Sequence, residues 1–229
     1  MKQIIGIVGG TGPLASTHLC SLLTELHLVK SDQDHVPFVH ISHPQIPDRS
    51  AFLRGEGENP TAAIVSVIER LQQAGATMAC VACNTAHAPQ IYDEISRKSP
   101  LPLVNLVATT ADFVISSVPN AKTVGILGTT GTVSANVYAL YFERHQVAVK
   151  YLQPDHQQQV MRTIYEIKAS GPTGEHSKLI TALSGTLLHS GCDAVVLGCT
   201  ELSLLDYPTS KVMFDPVRIL AEHLLERAA

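Results

Sequence analysis

Two segments of this chain each carry an apolar, strand-like run into a cysteine and then turn polar at once. AGATMACVACNT starts at Ala74 and SGCDAVVLGCTE at Ser190, 116 residues later; aligned, Cys83 falls on Cys199, Gly75 on Gly191 and Asn84-Thr85 on Thr200-Glu201. The opening GIVGGTG from Gly6 is echoed by GILGTTG from Gly125 at an offset of 119, and LVNLVATTADFV from Leu103 by MFDPVRILAEHL from Met213 at 110. Three similarities in one order and at nearly one spacing predict two copies of an α/β unit of about 110 residues. A chain written twice in this way is constrained to two similar lobes whose corresponding strand ends face each other.

The local patterns agree. Short apolar runs at 3–8, 38–41, 78–82, 103–106, 123–127, 147–152, 194–198 and 211–214 alternate with amphipathic stretches such as 61–74 and 177–189. Continuous apolar strands alternating with helices predict parallel sheets covered on both faces. The expected fold class is α/β: two Rossmann-like domains related by a pseudo-twofold axis, with the active site in the cleft between them. The first domain is expected to take residues 1–104 plus 215–229 and the second 105–214, the final helix from 216 crossing back onto the first. Segments 42–47, 55–60 and 170–174, rich in Pro and Gly, read as loops.

Composition narrows the function classes. Hydrophobic residues make up 45 % and charged residues 16 %, enough to bury a core. The formal net charge is −4, and the basic residues are scattered with no run longer than Arg97-Lys98, which argues against nucleic acid as a partner. No apolar run reaches the ~18 residues of a membrane span. The N-terminal run stops at Gly9-Gly10, too short for a signal sequence, so a cytoplasmic protein is expected. Five cysteines, an odd count, argue against a disulfide framework and leave metal binding, catalysis or burial. Cys20, Cys80 and Cys192 are read as packing residues.

Cys83 and Cys199 are not. In open parallel sheets ligands sit outside the carboxyl ends of strands, where both thiols stand. Each is followed by residues suited to start a helix, whose N-terminal partial charge favours a thiolate. Two facing thiols fit one reaction in particular. A base on one side of a carbon removes a proton, an acid on the other side returns one, and the centre is inverted. Backbone N–H groups and the side chains of Asn84, Thr85 and Thr200 are placed to hold a carboxylate beside the resulting carbanion; helix capping is their competing role. Thr11, Thr129 and Thr130, in the two Gly-rich turns, either line the same cavity or only shape the turns.

Other signals carry less. Gly10 to Ala15 fits G-x-G-x-x-A, but the second strand runs into Ser42-His43-Pro44 without the acidic residue that a dinucleotide ribose requires. Cys80 and Cys83 form a C-x-x-C whose side chains point to opposite faces of a strand, and no second C-x-x-C completes a zinc site. The histidines include no H-E-x-x-H. His87, four residues after Cys83, is placed either to tune the thiol from one helical turn away or simply to pack.

CNTAH and GCTEL, with the opening GIVGGTGP and the segment IPDRS, resemble the aspartate/glutamate racemase family, and within it the aspartate racemases, over nearly the whole chain. The resemblance implies two α/β domains enclosing an amino-acid substrate, two catalytic cysteines at Cys83 and Cys199, no pyridoxal phosphate or other cofactor, no metal, and a homodimer. It implies that Arg49, in IPDRS, holds a substrate carboxylate, for which a guanidinium fork is suited, and that Lys168, in YEIKAS, lies near the substrate. Two cations fit aspartate or glutamate. Glu201, two places after Cys199, is expected to raise that thiol's pKa as a like charge, keeping Cys199 protonated while Cys83 rests as thiolate; its alternative roles are binding the substrate ammonium or capping a helix. A hydantoin racemase, a maleate isomerase and a non-catalytic binding module on the same scaffold are the alternative readings.

Overall fold

The computed structural model describes residues 3–208 and 210–228; Met1, Lys2, Thr209 and Ala229, the last residue of the expected final helix, lie outside them. All eight expected strands form. One sheet holds β1 (Ile5–Gly9), β2 (Phe38–Ser42), β3 (Met78–Val81) and β4 (Leu103–Val104). The other holds β5 (Thr123–Gly128), β6 (Ala148–Lys150), β7 (Ala194–Gly198) and β8 (Met213–Phe214). Both sheets are parallel throughout, and their orders, β2-β1-β3-β4 and β6-β5-β7-β8, are the same order used twice.

The helices are α1 (Pro13–Glu25), α2 (Arg49–Leu53), α3 (Thr61–Gln73), α4 (Pro89–Lys98), α5 (Leu106–Ser117), α6 (Thr130–Ser134), α7 (Ala139–Glu143), α8 (Pro154–Ser170), α9 (Gly174–His189) and α10 (Pro216–Ala228). Four of them, α1, α4, α8 and α10, open on proline, whose missing N–H costs nothing in a first turn. Edge strands β4 and β8 are only two residues long: β4 stops two residues before the expected 106, and β8 starts two residues after the expected 211. Asn105 Oδ1 accepts the Ala108 N–H (2.8 Å), so the chain turns helical there although the apolar pattern runs on to 106, and Asp215 Oδ1 likewise accepts the Val217 N–H (2.8 Å) at the start of α10. The duplication is visible in a shared turn: α3 and α9 end at Gly75 and Gly191, both at φ 94, a backbone state that favours glycine.

Strand alternation divides the core. Ile5, Ile7, Cys80 and Ala82 of one sheet and Ile126, Ala194 and Val196 of the other join α1, α5, α7 and α10 in one continuous apolar cluster. The opposite faces pack outward, Val8, Val81 and Cys83 against α3 and α4, and Leu127, Leu197 and Cys199 against α8 and α9. Cys80 and Cys83 thus lie on opposite faces, as strand geometry requires. The final helix packs on α1 and α5.

Candidate active site

Both sheets reverse strand order between their two central strands, and the polar residues gather outside the carboxyl ends of those strands. Cys83 and Asn84 follow β3, and Cys199 and Thr200 follow β7. Thr11 lies in the turn after β1, and Thr129 in the turn after β5. All line one cavity, together with Arg49 from the start of α2, Thr85, Lys168 from the last turn of α8, and Glu201. Cys83 and Cys199 are 6 % and 5 % exposed.

Thr130 does not line the cavity. It aligns with Thr11 in the repeat, but Thr11 sits between Gly10 and Gly12, both at positive φ, whereas Thr129 is extended and caps α6 through its own Oγ1 (Thr132 N–H, 3.1 Å). That makes Thr130 the first helical residue, its N–H 3.1 Å from Met161 Sδ. Asp48 and Ser50 line the cavity and were missed by sequence reasoning. IPDRS carried the signal, because the residues flanking Arg49 at a helix start travel with it.

The two thiols meet different surroundings. Cys199 Sγ donates to Glu201 Oε2 at 3.0 Å, and burial, followed by the Glu201 charge, pushes its pKa well above that of an ordinary thiol. Glu201 Oε1 lies 3.6 Å from Lys168 Nζ. Arg49 is 8 % exposed; its guanidinium donates to the carbonyls of Pro47 (3.1 Å) and Thr11 (3.1 Å). Burial works against its charge, but the Cys83 sulfur beside it, with smaller contributions from Asp48 and Glu201, outweighs that and raises its pKa.

Neither thiol heads an α-helix. Each is followed by a single 3₁₀ turn, Thr85–His87 or Leu202–Leu204, and neither turn has a side-chain cap. The capping roles open to Asn84, Thr200 and Glu201 therefore fall away. Asn84 Oδ1 instead accepts the hydroxyl of the fully buried Tyr138. Thr85 Oγ1 meets Thr129 and Thr132 Oγ1 across the cleft, each at 3.0 Å. His87 binds the backbone oxygen of Cys83 rather than its sulfur, at 2.8 Å.

Of the eight buried side-chain atoms without a hydrogen-bond partner among the described residues, four belong to this cavity: Thr11 Oγ1, Arg49 Nε, Asn84 Nδ2 and Glu201 Oε1. Orphaned polar atoms are rare in folded proteins, and their concentration here marks a place for a polar ligand. Two are donors, one hydroxyl serves either way, and one is a carboxylate oxygen, matching a carboxylate and an ammonium on one small molecule. The free space is about 20 Å³, room for one water, so the cleft is closed. A separate pocket of 320 Å³, sharing Arg49, Lys168 and Glu201 with it, lies between Pro13-Leu14, Pro44 and Ile167. A larger hollow of 470 Å³ lies between α5 and α10, away from both sulfurs.

Gly12 is fixed by this closure. Its φ is 129, and a Cβ there would stand 2.5 Å from Glu201 Oε1. Gly12→Ala is expected to cost ~1–3 kcal/mol of stability, read as a lowered midpoint in chemical unfolding. An unchanged midpoint would mean that the turn adapts.

A family profile described as Asp/Glu/Hydantoin racemase matches residues 8–224. The chain belongs to this family. It is a racemase built on two parallel four-stranded sheets with helices. Among solved structures, the aspartate racemase of Picrophilus torridus superposes with a TM-score of 0.83 at 28 % identity, covering 99 % of this chain and 94 % of that one. An aspartate racemase homologue from Pyrococcus horikoshii has a TM-score of 0.77 at 24 % identity, covering 100 % of this chain and 99 % of that one, a likeness of fold. Glutamate racemase of Pseudomonas putida strain W619 is 26 % identical over 200 residues, 86 % of this chain and 67 % of the relative. The glutamate racemase of Corynebacterium kroppenstedtii is 28 % identical over 160 residues, and the alignment spans 68 % of this chain but about half of the relative, 52 %. Among the described residues no helix is long and apolar enough to cross a membrane.

Proposed function

We propose that the chain racemises an acidic amino acid, aspartate or glutamate, by proton transfer at Cα between two cysteines, without a cofactor. The observation that carries this reading is the meeting of both sulfurs in one closed cavity with four orphaned polar atoms of the kinds an amino-acid zwitterion satisfies. The similarity to the aspartate racemase of Picrophilus torridus supports it.

The reaction needs one thiolate and one thiol at rest. Cys199, hydrogen-bonded to a carboxylate, is the thiol. Cys83, with the Arg49 guanidinium as neighbour, is assigned the part of the base. Cys83 takes the Cα proton, the electron pair stays on the substrate, and Cys199 delivers its own proton to the opposite face. Each turnover leaves the protons exchanged between the sulfurs, and the reverse reaction restores them. Asn84 Nδ2, oriented by the Tyr138 hydroxyl on Oδ1, hydrogen-bonds the α-carboxylate as the carbanion develops. Thr11 and Thr200 hydroxyls assist, and Thr85 and Thr129 close the floor. Glu201 Oε1 receives the ammonium, and Arg49 and Lys168 receive the side-chain carboxylate, which favours an acidic substrate over a hydantoin. With 20 Å³ free, the lobes part for substrate and close on it.

The domain boundaries in this reading are 1–104 with 215–229 and 105–214, the placement of α10 on α1 supporting the return of the last helix. The working form is a cytoplasmic homodimer, to be checked by light scattering and fractionation.

The deciding experiment is a panel of amino acids, hydantoins and maleate in D₂O, read by chiral chromatography and mass spectrometry. Aspartate or glutamate should invert, with one deuterium gained at Cα. Turnover of a hydantoin or maleate alone would move the assignment within the family, and thermal shifts without turnover would favour a binding module.

A further inference from the structure

The residue four places after each sulfur does equivalent work by different chemistry. His87 stands four after Cys83, and Ser203 four after Cys199. His87 is 1 % exposed, with Nδ1 2.8 Å from the Cys83 carbonyl oxygen and Nε2 3.3 Å from the backbone nitrogen of Leu106, the first residue of α5. The Leu106 N–H can only donate, so Nε2 accepts and Nδ1 carries the proton that it donates to Cys83. The ring is therefore a neutral clamp between the Cys83 loop and the start of α5. Burial pushes its pKa down to about 4, which keeps it neutral.

In the other half the Cys199 carbonyl accepts the Leu202 N–H at 2.9 Å within the 3₁₀ turn, and Ser203 anchors that turn. Ser203 Oγ donates to Asp215 Oδ1 at 2.5 Å, and the same oxygen caps α10 through the Val217 N–H. Each sulfur-bearing loop is thus pinned to the N-terminus of the helix after its sheet, Cys83 to α5 and Cys199 to α10. Those two helices pack on each other. Neither His87 nor Ser203 lines the thiol cavity.

We infer that His87 and Ser203 are paired positioning residues that hold the two sulfurs in register across the cleft through the packed helices α5 and α10. Neither moves a proton in the reaction. Their work is geometric, because transfer to and from opposite faces of one carbon tolerates little displacement of either sulfur. The kinetic part of the test rests on the two-thiol reading above, and the alkylation part does not.

The test compares His87→Asn with His87→Gln on the full chain. An Asn amide nitrogen stands near the position of Nδ1 and keeps the donor to Cys83, whereas Gln places its amide near Nε2 and loses it. His87→Gln should lower kcat ~10–100-fold with KM within about twofold, and His87→Asn should recover most of that loss. With Cα-deuterated substrate, the primary isotope effect in His87→Gln should rise for the enantiomer deprotonated by Cys83 and fall for the other. Ser203→Ala should show the opposite bias, and Ser203→Thr should restore it. Iodoacetamide labelling followed by mass spectrometry reads each sulfur separately: His87→Gln should change the rate at Cys83 alone, and Ser203→Ala the rate at Cys199 alone.

Indistinguishable Asn and Gln variants, or equal changes at both sulfurs, would overturn the inference. If the wild-type protein racemises no acidic amino acid, the two-thiol reading falls and the labelling arm decides alone. Should His87→Gln fail to fold, the Ser203 pair makes the same comparison.

Discussion

Cys83→Ser and Cys199→Ser are each expected to lower racemisation by ~10³-fold or more, since each removes one of the two groups that exchange a proton with Cα. A serine hydroxyl is a far weaker acid than a thiol and does not supply an anion or a proton at neutral pH in the same place. The polar frame around the sulfurs is separate from them: Asn84 is held by Tyr138, Arg49 by the carbonyls of Pro47 and Thr11, and Thr85 by Thr129 and Thr132. Aspartate or glutamate should therefore still raise the melting temperature of both variants. Each variant keeps one working sulfur, so one enantiomer should lose its Cα proton to D₂O without inverting, and the preferred enantiomer should differ between the two. Wild-type turnover in either variant would remove the two-base mechanism. Loss in only one would point to a single nucleophilic cysteine.

Glu201→Gln should move the alkaline limb of the kcat/KM profile to lower pH and reduce kcat ~10–100-fold. The sign follows from what surrounds Cys199. Burial raises its pKa first, the Glu201 carboxylate raises it further, and Lys168 pulls it down. A raised pKa holds the proton on sulfur to higher pH, so the acid form of Cys199 survives there in the wild-type protein. Glutamine keeps the burial but removes the like charge, and it leaves Lys168, now 3.6 Å from a neutral group, to act on the thiol without opposition. Both changes favour the thiolate, and the acid form is lost at lower pH. The pH dependence of alkylation at Cys199 checks the assignment directly. A profile and labelling curve identical to wild type would show that the carboxylate does not set the protonation of this sulfur.

The repeat made most of the fold legible. Strand ends that align in the sequence align in space, because each half closes its sheet in the same order and turns on a glycine at the same place, Gly75 or Gly191. The apolar pattern ran β4 on to residue 106 because periodicity carries no record of Asn105 capping the next helix. The symmetry breaks at Thr130, where the second copy replaced a positive-φ glycine with a capping threonine and turned the following residue away. The residues behind the thiols suit a helix start, yet the chain makes only one tight 3₁₀ turn there. Arg49 and Lys168 were legible only through resemblance, since a lone cation in a sequence gives no sign of what it faces.

What the sequence determined by itself was the pair of sulfurs at equivalent strand ends and the polar residues directly behind them, because covalent neighbours on a strand-to-loop boundary cannot be far from the sheet's carboxyl edge. Only the tertiary structure decided which distant groups share that edge: the guanidinium of Arg49 at Cys83, the carboxylate of Glu201 on Cys199, Tyr138 on Asn84, and the ties from His87 to α5 and from Ser203 to α10. These pairings depend on how loops from two lobes close over one cavity, and that closure is a property of packing between segments far apart in the chain.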